Sequence, residues 1–370
     1  GGRVDIAEAD ELAAPVTHGF GLRAEGAPAE EAARVDETVA PMVGGMFAAP
    51  TAVGRSAGSA VGTSDTSLFK IRDCILRGLP AVDLQGELVS VEQCVMTGGG
   101  VWLRDGTEAA VVAHNTITRG HSQGVLLGGI HGDNDLVETR TGLYQIEIIA
   151  NTIDTMAREG ISTTLGGDDR LGDLEAVTIV DNVITRCGIA PLVPEFAVGG
   201  GIFLSEAAQI RIHDNTIVEN GPLDDSRDLF GIGFGIAVFM CIGLDVKNNR
   251  IEHNGRAIGP GDEGINLNAG IAALGVLPTD RGFSDSSIVD GPAMTIQGNV
   301  IASAAGPGVA AFGLGPMSID NNDITCHYPG RGLIDVGRAI LALNLGGPPD
   351  LQSIQFGNDL NVAWTLSLIN

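Results

Sequence analysis

The groups best suited to moving protons near neutral pH lie in the first half of this chain. His121, in the run Arg119-Gly120-His121-Ser122-Gln123-Gly124, is followed ten residues later by His131 and then Asp133. Imidazole changes charge between about pH 5 and 8, so a His beside a carboxylate has the equipment of a general acid or base. Carboxylates gather further along: Asp133 and Asp135, Asp168-Asp169 with Arg170, Asp224-Asp225 with Arg227 and Asp228, and Asp262-Glu263. Two converging carboxyls can cleave a glycosidic bond by acid and base, and several together are the hard oxygen ligands that Ca²⁺ takes. The bland alternatives are a solvated acidic surface and ordinary loop histidines. His114, His213, His253 and His327 stand at different offsets from repeated turns and do not converge on one point.

Composition narrows what must position these groups. The chain has 370 residues and a formal charge of −25, with 44% hydrophobic residues, 4% aromatics and 54 Gly. So much branched apolar residue excludes disorder, and no run approaches the ~20 apolar residues of a membrane span. The negative field excludes nucleic acid and anionic membrane surfaces as partners. The five Cys (Cys74, Cys94, Cys187, Cys241, Cys326) have no zinc spacing and read as small buried hydrophobes. The chain opens with neither Met nor a charged-then-apolar signal, which fits a leader removed or lying outside this stretch.

An internal repeat supplies the framework. Ile212-His213-Asp214-Asn215-Thr216-Ile217 places branched residues three before and two after an Asn. The frame recurs at Asn115, Asn151, Asn182, Asn249, Asn299 and Asn322, and Cys takes the marker position at Cys74 and Cys94. A tenth copy around Ile354 to Leu360 is out of register and is left out. Marker spacings of 20, 21, 36, 31, 33, 34, 50 and 23 have a floor near 20 residues. That is too short for a helix pair but fits three short strands joined by tight turns. Asn at the marker is expected to take the left-handed conformation and to stack its amides into an asparagine ladder at about 4.8 Å spacing. A second motif follows each marker, Gly then a branched residue: Gly124-Val125, Gly160-Ile161, Gly201-Ile202, Gly235-Ile236, Gly264-Ile265 and Gly308-Val309.

The I-x-[DGN]-N-x-I marker followed by G-I-x-L resembles the repeat of the pectin-lyase-like superfamily. That resemblance implies an all-β, right-handed parallel β-helix of about nine to eleven coils. It covers residues 68–345, leaving 1–67 as an N-terminal cap and linker and 346–370 as a C-terminal cap. The superfamily includes polysaccharide lyases, hydrolases and epimerases as well as tailspikes and adhesins, so the fold alone does not choose an activity. The Asp-Pro-His, Asn-Thr-Asp, Gly-His-Gly and Arg-x-Pro-x-x-Arg signatures of its enzymes are missing, and Lys70 and Lys247 are the only lysines.

The residues beyond ~20 per coil fall on either side of the Gly-initiated strands, at 128–145, 166–175, 189–198, 222–232, 256–263 and 275–292, where insertions build a binding face. Alternation turns Leu126, Ser162, Thr164, Phe203, Ser205, Ala237, Phe239, Asn266, Asn268, Ala310 and Phe312 outward between these rims. The substrate-binding candidates are therefore Arg119, Arg170, Phe203, Phe239, Asn266, Asn268 and Phe312. The catalytic candidates are His121, His131, Asp133, Asp168 and Asp169, with Ca²⁺ as the one candidate cofactor. Two functional readings stand. One is a secreted or surface protein engaging a polysaccharide in the groove, with lyase, epimerase or hydrolase processing. The other is a non-catalytic shaft, spike or adhesin module of a larger assembly. The apolar final strand, Val362 to Leu368, suits contact with another chain, a second copy included.

Overall fold

The computed structural model describes residues 61–62, 66–128, 142–163, 174–189, 197–221, 231–255, 269–278, 292–303, 306–326, 339–345, 354, 357–360 and 366–369. They wind into a parallel solenoid whose coils each carry three strands. The first face holds the strand before the marker, such as Ala207–His213, and the second the strand after it, such as Thr216–Val218. The third face holds the Gly-initiated strand, such as Ala197–Ser205. Second-face strands form one ten-stranded parallel sheet running from Ile75–Arg77 to Asp359–Leu360. The first and third faces belong to one sheet, because strands such as Gly231–Lys247 round the corner between them unbroken. Pairing is in register from coil to coil: Thr185 faces Val218, and Val218 faces Glu252. At the ends, Val61 pairs with Val82, and Leu366 pairs with Ile340.

The core is thin and aliphatic, as expected for a chain almost without aromatics. Inward positions stack like on like: Ile148, Ile179, Ile212, Val246, Ile296 and Ile319 on the first face, and Ile153, Ile184, Ile217, Ile251, Ile301 and Ile324 on the second, all essentially inaccessible. The Gly of the Gly-branched motif points into this interior. A Cβ at Gly124, Gly160, Gly201, Gly235, Gly270 or Gly308 would lie 2.2–2.4 Å from the γ2 methyl of the second-face Ile of its own coil. The third face can close on the second only where this methyl is missing. In the coil of Asn299 the motif position is held by Gly270-Ile271, with Ile271 paired to Ile236 and Val309; the expected Gly264-Ile265 lies outside the described residues.

Gly235→Ala is accordingly expected to cost about 1–3 kcal/mol through overpacking against Ile251, Gly270 and Asn254. Gly243→Ala, at φ +71 with nothing nearer than 4.0 Å, tests conformation alone and should cost about 1 kcal/mol. Urea melts of the two variants check the order; a Gly235→Ala loss no larger than that of Gly243→Ala would remove the close-packing explanation.

The marker turn works differently from the expectation. The left-handed residue is the one before the Asn: Asp73, Gln93, His114, Ala150, Asp181, Asp214, Asn248, Gly298 and Asn321 have φ between 52 and 68°. The Asn is buried and binds with its side chain. Nδ2 of Asn115, Asn151, Asn182, Asn215, Asn249, Asn299 and Asn322 each donates to Oδ1 of the next marker at 2.8–3.0 Å, and the file ends on Asn358. The copy left out of register thus joins the stack, with Ile324 paired to Leu360. Each Oδ1 also accepts a backbone N–H from the preceding coil, as Asn215 does from Asn182 at 2.9 Å. A second, shorter file lies five residues further on, where Asn220 Nδ2 donates to Asn254 Oδ1 at 2.8 Å and Cys187 N–H donates to Asn220 Oδ1.

Candidate functional site

Among the sequence candidates, His121 and Arg119 are exposed at the corner between the second and third faces, and Arg119 is the left-handed residue of its turn. His131, Asp133, Asp168, Asp169, Arg170, Asn266 and Asn268 lie outside the described residues. Phe203, Phe239 and Phe312 all point out from the third face. Phe203 is buried at 3% exposure, in a small apolar cluster with Phe234, Ala237, Ala269 and Ala272 outside the main core. Phe239 and Phe312 are half-buried, and the Phe203 and Phe239 rings sit 5.5 Å apart.

Register turns the outer side of the third face into a column with one side chain per coil: Asp83, Trp102, Leu126, Ser162, Phe203, Ala237, Ala272, Ala310. At its N-terminal end Arg104 grips Asp83 through two hydrogen bonds, Nε to Oδ1 at 2.6 Å and Nη2 to Oδ2 at 2.5 Å. The same guanidinium lies 4.8 Å over the Trp102 ring, whose Nε1 donates to Gly128 O at 2.7 Å. A partly exposed indole is thereby fixed edge and face.

The adjoining outward column runs Gln123, Glu159, Gly200, Phe234, Ala269. Glu159 is the group the sequence reading missed. Its carboxyl is 6% exposed on a face that is otherwise apolar toward the C-terminus. Desolvation pushes it above its ordinary value of 4.5, and a hydrogen bond from its own backbone, the Arg158 charge and hydrogen bonds from Gln123 and Ser162 offset only part of that. Ser162, 1% exposed, stands beside it with its hydroxyl shut away from solvent against the carboxyl. On the far side the ring of Phe234 lies over Gly200, where a Cβ would come within 2.5 Å of it. A signal existed: Glu159 immediately precedes a Gly-Ile pair, a position that is Gly200 or Phe234 in the next coils. One residue in a column has no periodicity to betray it.

The model of the right-handed β-helix region matches residues 59–238 and 175–344. The chain belongs to that family. No curated protein sequence matches it. Among solved structures it is similar to the Dettilon tailspike protein, at 13% identity and TM-score 0.37, over 81% of this chain and 60% of that one. It is also similar to the periplasmic alginate epimerase AlgG, at 12% identity and TM-score 0.31, over 83% of this chain and 76% of that one. The chain thus spans about three-fifths of the tailspike's length.

For this member of the family, no cluster of three or more His, Cys, Asp or Glu among the described residues could hold a metal ion. No described helix is long and apolar enough to cross a membrane. Burial pushes the Cys187 and Cys241 thiols up to about 12, so neither is a nucleophile near neutral pH.

The raised Glu159 carboxyl makes stability depend on pH, and the sign follows from linkage. The native chain keeps its proton at pH values where the unfolded chain has released it. Stability then falls as pH rises from about 4.5 toward the raised native value, by at most about 1.4 kcal/mol per pH unit, and levels off above it. Glu159→Gln should abolish that slope: the two proteins match near pH 4, and the variant is the more stable near pH 8. Urea denaturation across this range gives the difference curve, and a flat one would show that Glu159 is not desolvated.

Proposed function

We propose that this protein is a secreted or surface β-helix that holds a polysaccharide along the outer side of its third face, parallel to the solenoid axis. One observation carries the reading. That face presents, in coils spread along it, a fixed indole at Trp102, a buried polar pair at Glu159 and Ser162, and half-buried rings at Phe239 and Phe312, between the two corners where the chain carries its insertions. Coils repeat at about 4.8 Å, close to the length of one sugar residue, so an extended polymer meets equivalent positions in phase. Flat apolar platforms flanked by a few placed polar groups are what sugar binding requires. The net charge of −25 favours a neutral polymer over a polyanion. His121, His131, Asp133, Asp168 and Asp169 are the candidates for acting on the bound chain, with Arg119, Arg170, Asn266 and Asn268 as further contacts and Ca²⁺ as the ion to supply.

Calorimetry against neutral and uronic oligosaccharides, with product analysis with and without Ca²⁺, tests this reading. Trp102→Ala and Phe312→Ala should each weaken binding about tenfold, the ~1.4 kcal/mol of one lost stacking platform. Affinities unchanged in both variants would move the binding face elsewhere.

A further inference from the structure

We infer that Cys74 and Cys94 are a disulfide site, closed by a low-molecular-weight disulfide such as oxidised glutathione as their two coils fold, and that the bond locks these coils together ahead of the asparagine file. The site is independent of the glycan-binding reading. The two residues hold the marker position in consecutive coils. Pairing in register on both sides of them, Arg72 with Glu92 and Ile75 with Val95, sets one directly over the other. Parallel strands lie about 4.8 Å apart, inside the roughly 4.4–6.8 Å that a disulfide allows between its Cα atoms. Cys94 Sγ is in hydrogen-bonding contact with both the backbone and the thiol of Cys74. Each sulfur also lies 3.2 Å from the carbonyl two residues before it. Closing the bond takes one thiol off its carbonyl and turns it along the solenoid axis.

From Asn115 onward an amide-to-amide hydrogen bond ties each marker to the next, and between Cys74 and Cys94 a weak thiol contact stands in its place. Coils of a solenoid are held mainly by their neighbours, so the coil with the weaker link opens first, and a covalent bond restores the tie. Cys187, Cys241 and Cys326 are separated from this pair and from one another by whole coils or by faces, which leaves one pairing to form. In the exchange Cys94, whose thiol the Cys74 contact holds below its ordinary value of 9.0, attacks the small disulfide and releases one glutathione thiolate. Cys74 then attacks the Cys94 sulfur of the mixed disulfide and releases the second. Both protein sulfurs are oxidised, the glutathione disulfide is reduced to two thiols, and the two cysteine protons pass to the released thiolates. At 3% and 1% exposure the sulfurs are reached only while these coils fold or open, and the finished bond is sheltered from reductant.

Refolding the full chain with reduced and oxidised glutathione, then alkylating in denaturant and mapping unreduced peptides by mass spectrometry, tests the site. The expected product is a peptide pair joined through Cys74 and Cys94, with the alkylating agent on the other three of the five cysteines. The oxidised chain should melt on the order of 5 °C above the reduced one, because the bond closes a loop of about 20 residues in the unfolded state. The double variant Cys74→Ala with Cys94→Ala should melt at one temperature in both buffers. Should that variant fail to fold, the alkylation pattern of the parent still decides. Five alkylated cysteines after oxidative refolding, a bond joining any other pair, or a double variant whose midpoint rises with oxidant as the parent's does overturns the site. A Cys74–Cys94 bond that leaves the midpoint unchanged overturns the locking role.

Discussion

Asn215→Ala, in the middle of the asparagine file between the first and second faces, is expected to destabilise the solenoid by about 3–6 kcal/mol. The Asn215 side chain accepts from the Asn182 N–H and the Asn182 amide at 2.9 and 3.0 Å, and donates to Ile179 O at 2.9 Å and Asn249 Oδ1 at 3.0 Å. Alanine leaves all four groups buried without this partner, and each buried group so orphaned costs about 1–3 kcal/mol before relaxation. Position along the file sets the size of the effect. Asn358 closes the file, is half-buried and has a marker on one side only, so Asn358→Ala should cost about 1 kcal/mol. Guanidinium melts of both variants, followed by tryptophan fluorescence and by backbone circular dichroism, measure the contrast. Equal losses at the middle and the end would mean that the file is a passive filler of the turn.

The two Cys markers fit the same logic. Cys94 gives its N–H to Asn115 Oδ1 at 2.9 Å, and its Sγ lies 3.2 Å from the Glu92 carbonyl, copying the contact that Asn182 makes to Val180 O. Sulfur serves its own turn but has no second donor to pass to the next coil. Cys is therefore found where the file begins and not in its middle.

How far the residues reveal this architecture depends on whether a position repeats. The frame of Ile212, Asn215 and Ile217 recurs in most coils, so the winding, the parallel pairing and the stacking of like on like follow from spacing. The left-handed turn residue is harder to place, because its side chain points to solvent and tolerates His114, Ala150, Asp181 or Asn248 alike. The stationary Asn next to it attracts the conformational role, whereas its amide is what the fold uses. Asn358 escapes because its leading residue, Ile354, stands four positions ahead and not three. Asn220 and Asn254 make too short a file to show as a period. On the third face, alternation correctly turns Phe203, Phe239 and Phe312 outward but cannot tell the buried ring from the half-exposed ones. Glu159 and Ser162 stand where the following coils carry Gly200, Phe234 and Phe203, and are visible as departures only when the register of neighbouring coils is known.

The pair that fixes the indole gives the second large effect. Arg104→Met should cost about 3–5 kcal/mol, because it strands the Asp83 carboxylate, which is only 2% exposed, without its bidentate partner. Asp83→Leu should cost less, about 1–2 kcal/mol, since the Arg104 guanidinium is 31% exposed and can turn toward water. In the double variant the stranded charge is gone and an apolar pair fills the site. Most of the stability lost in Arg104→Met should therefore return, and the double-mutant cycle should report a coupling well above 1 kcal/mol. Binding should not recover with it. Trp102 keeps its Nε1 bond to Gly128 O but loses the cation over its face, so the ring is free to tilt and the oligosaccharide platform is compromised in a protein of near-parental stability. If affinity returns together with stability, Arg104 only neutralises Asp83. If stability does not return, then the Arg104 stem packed on Trp102, and not the ion pair, is what holds this end of the third face together.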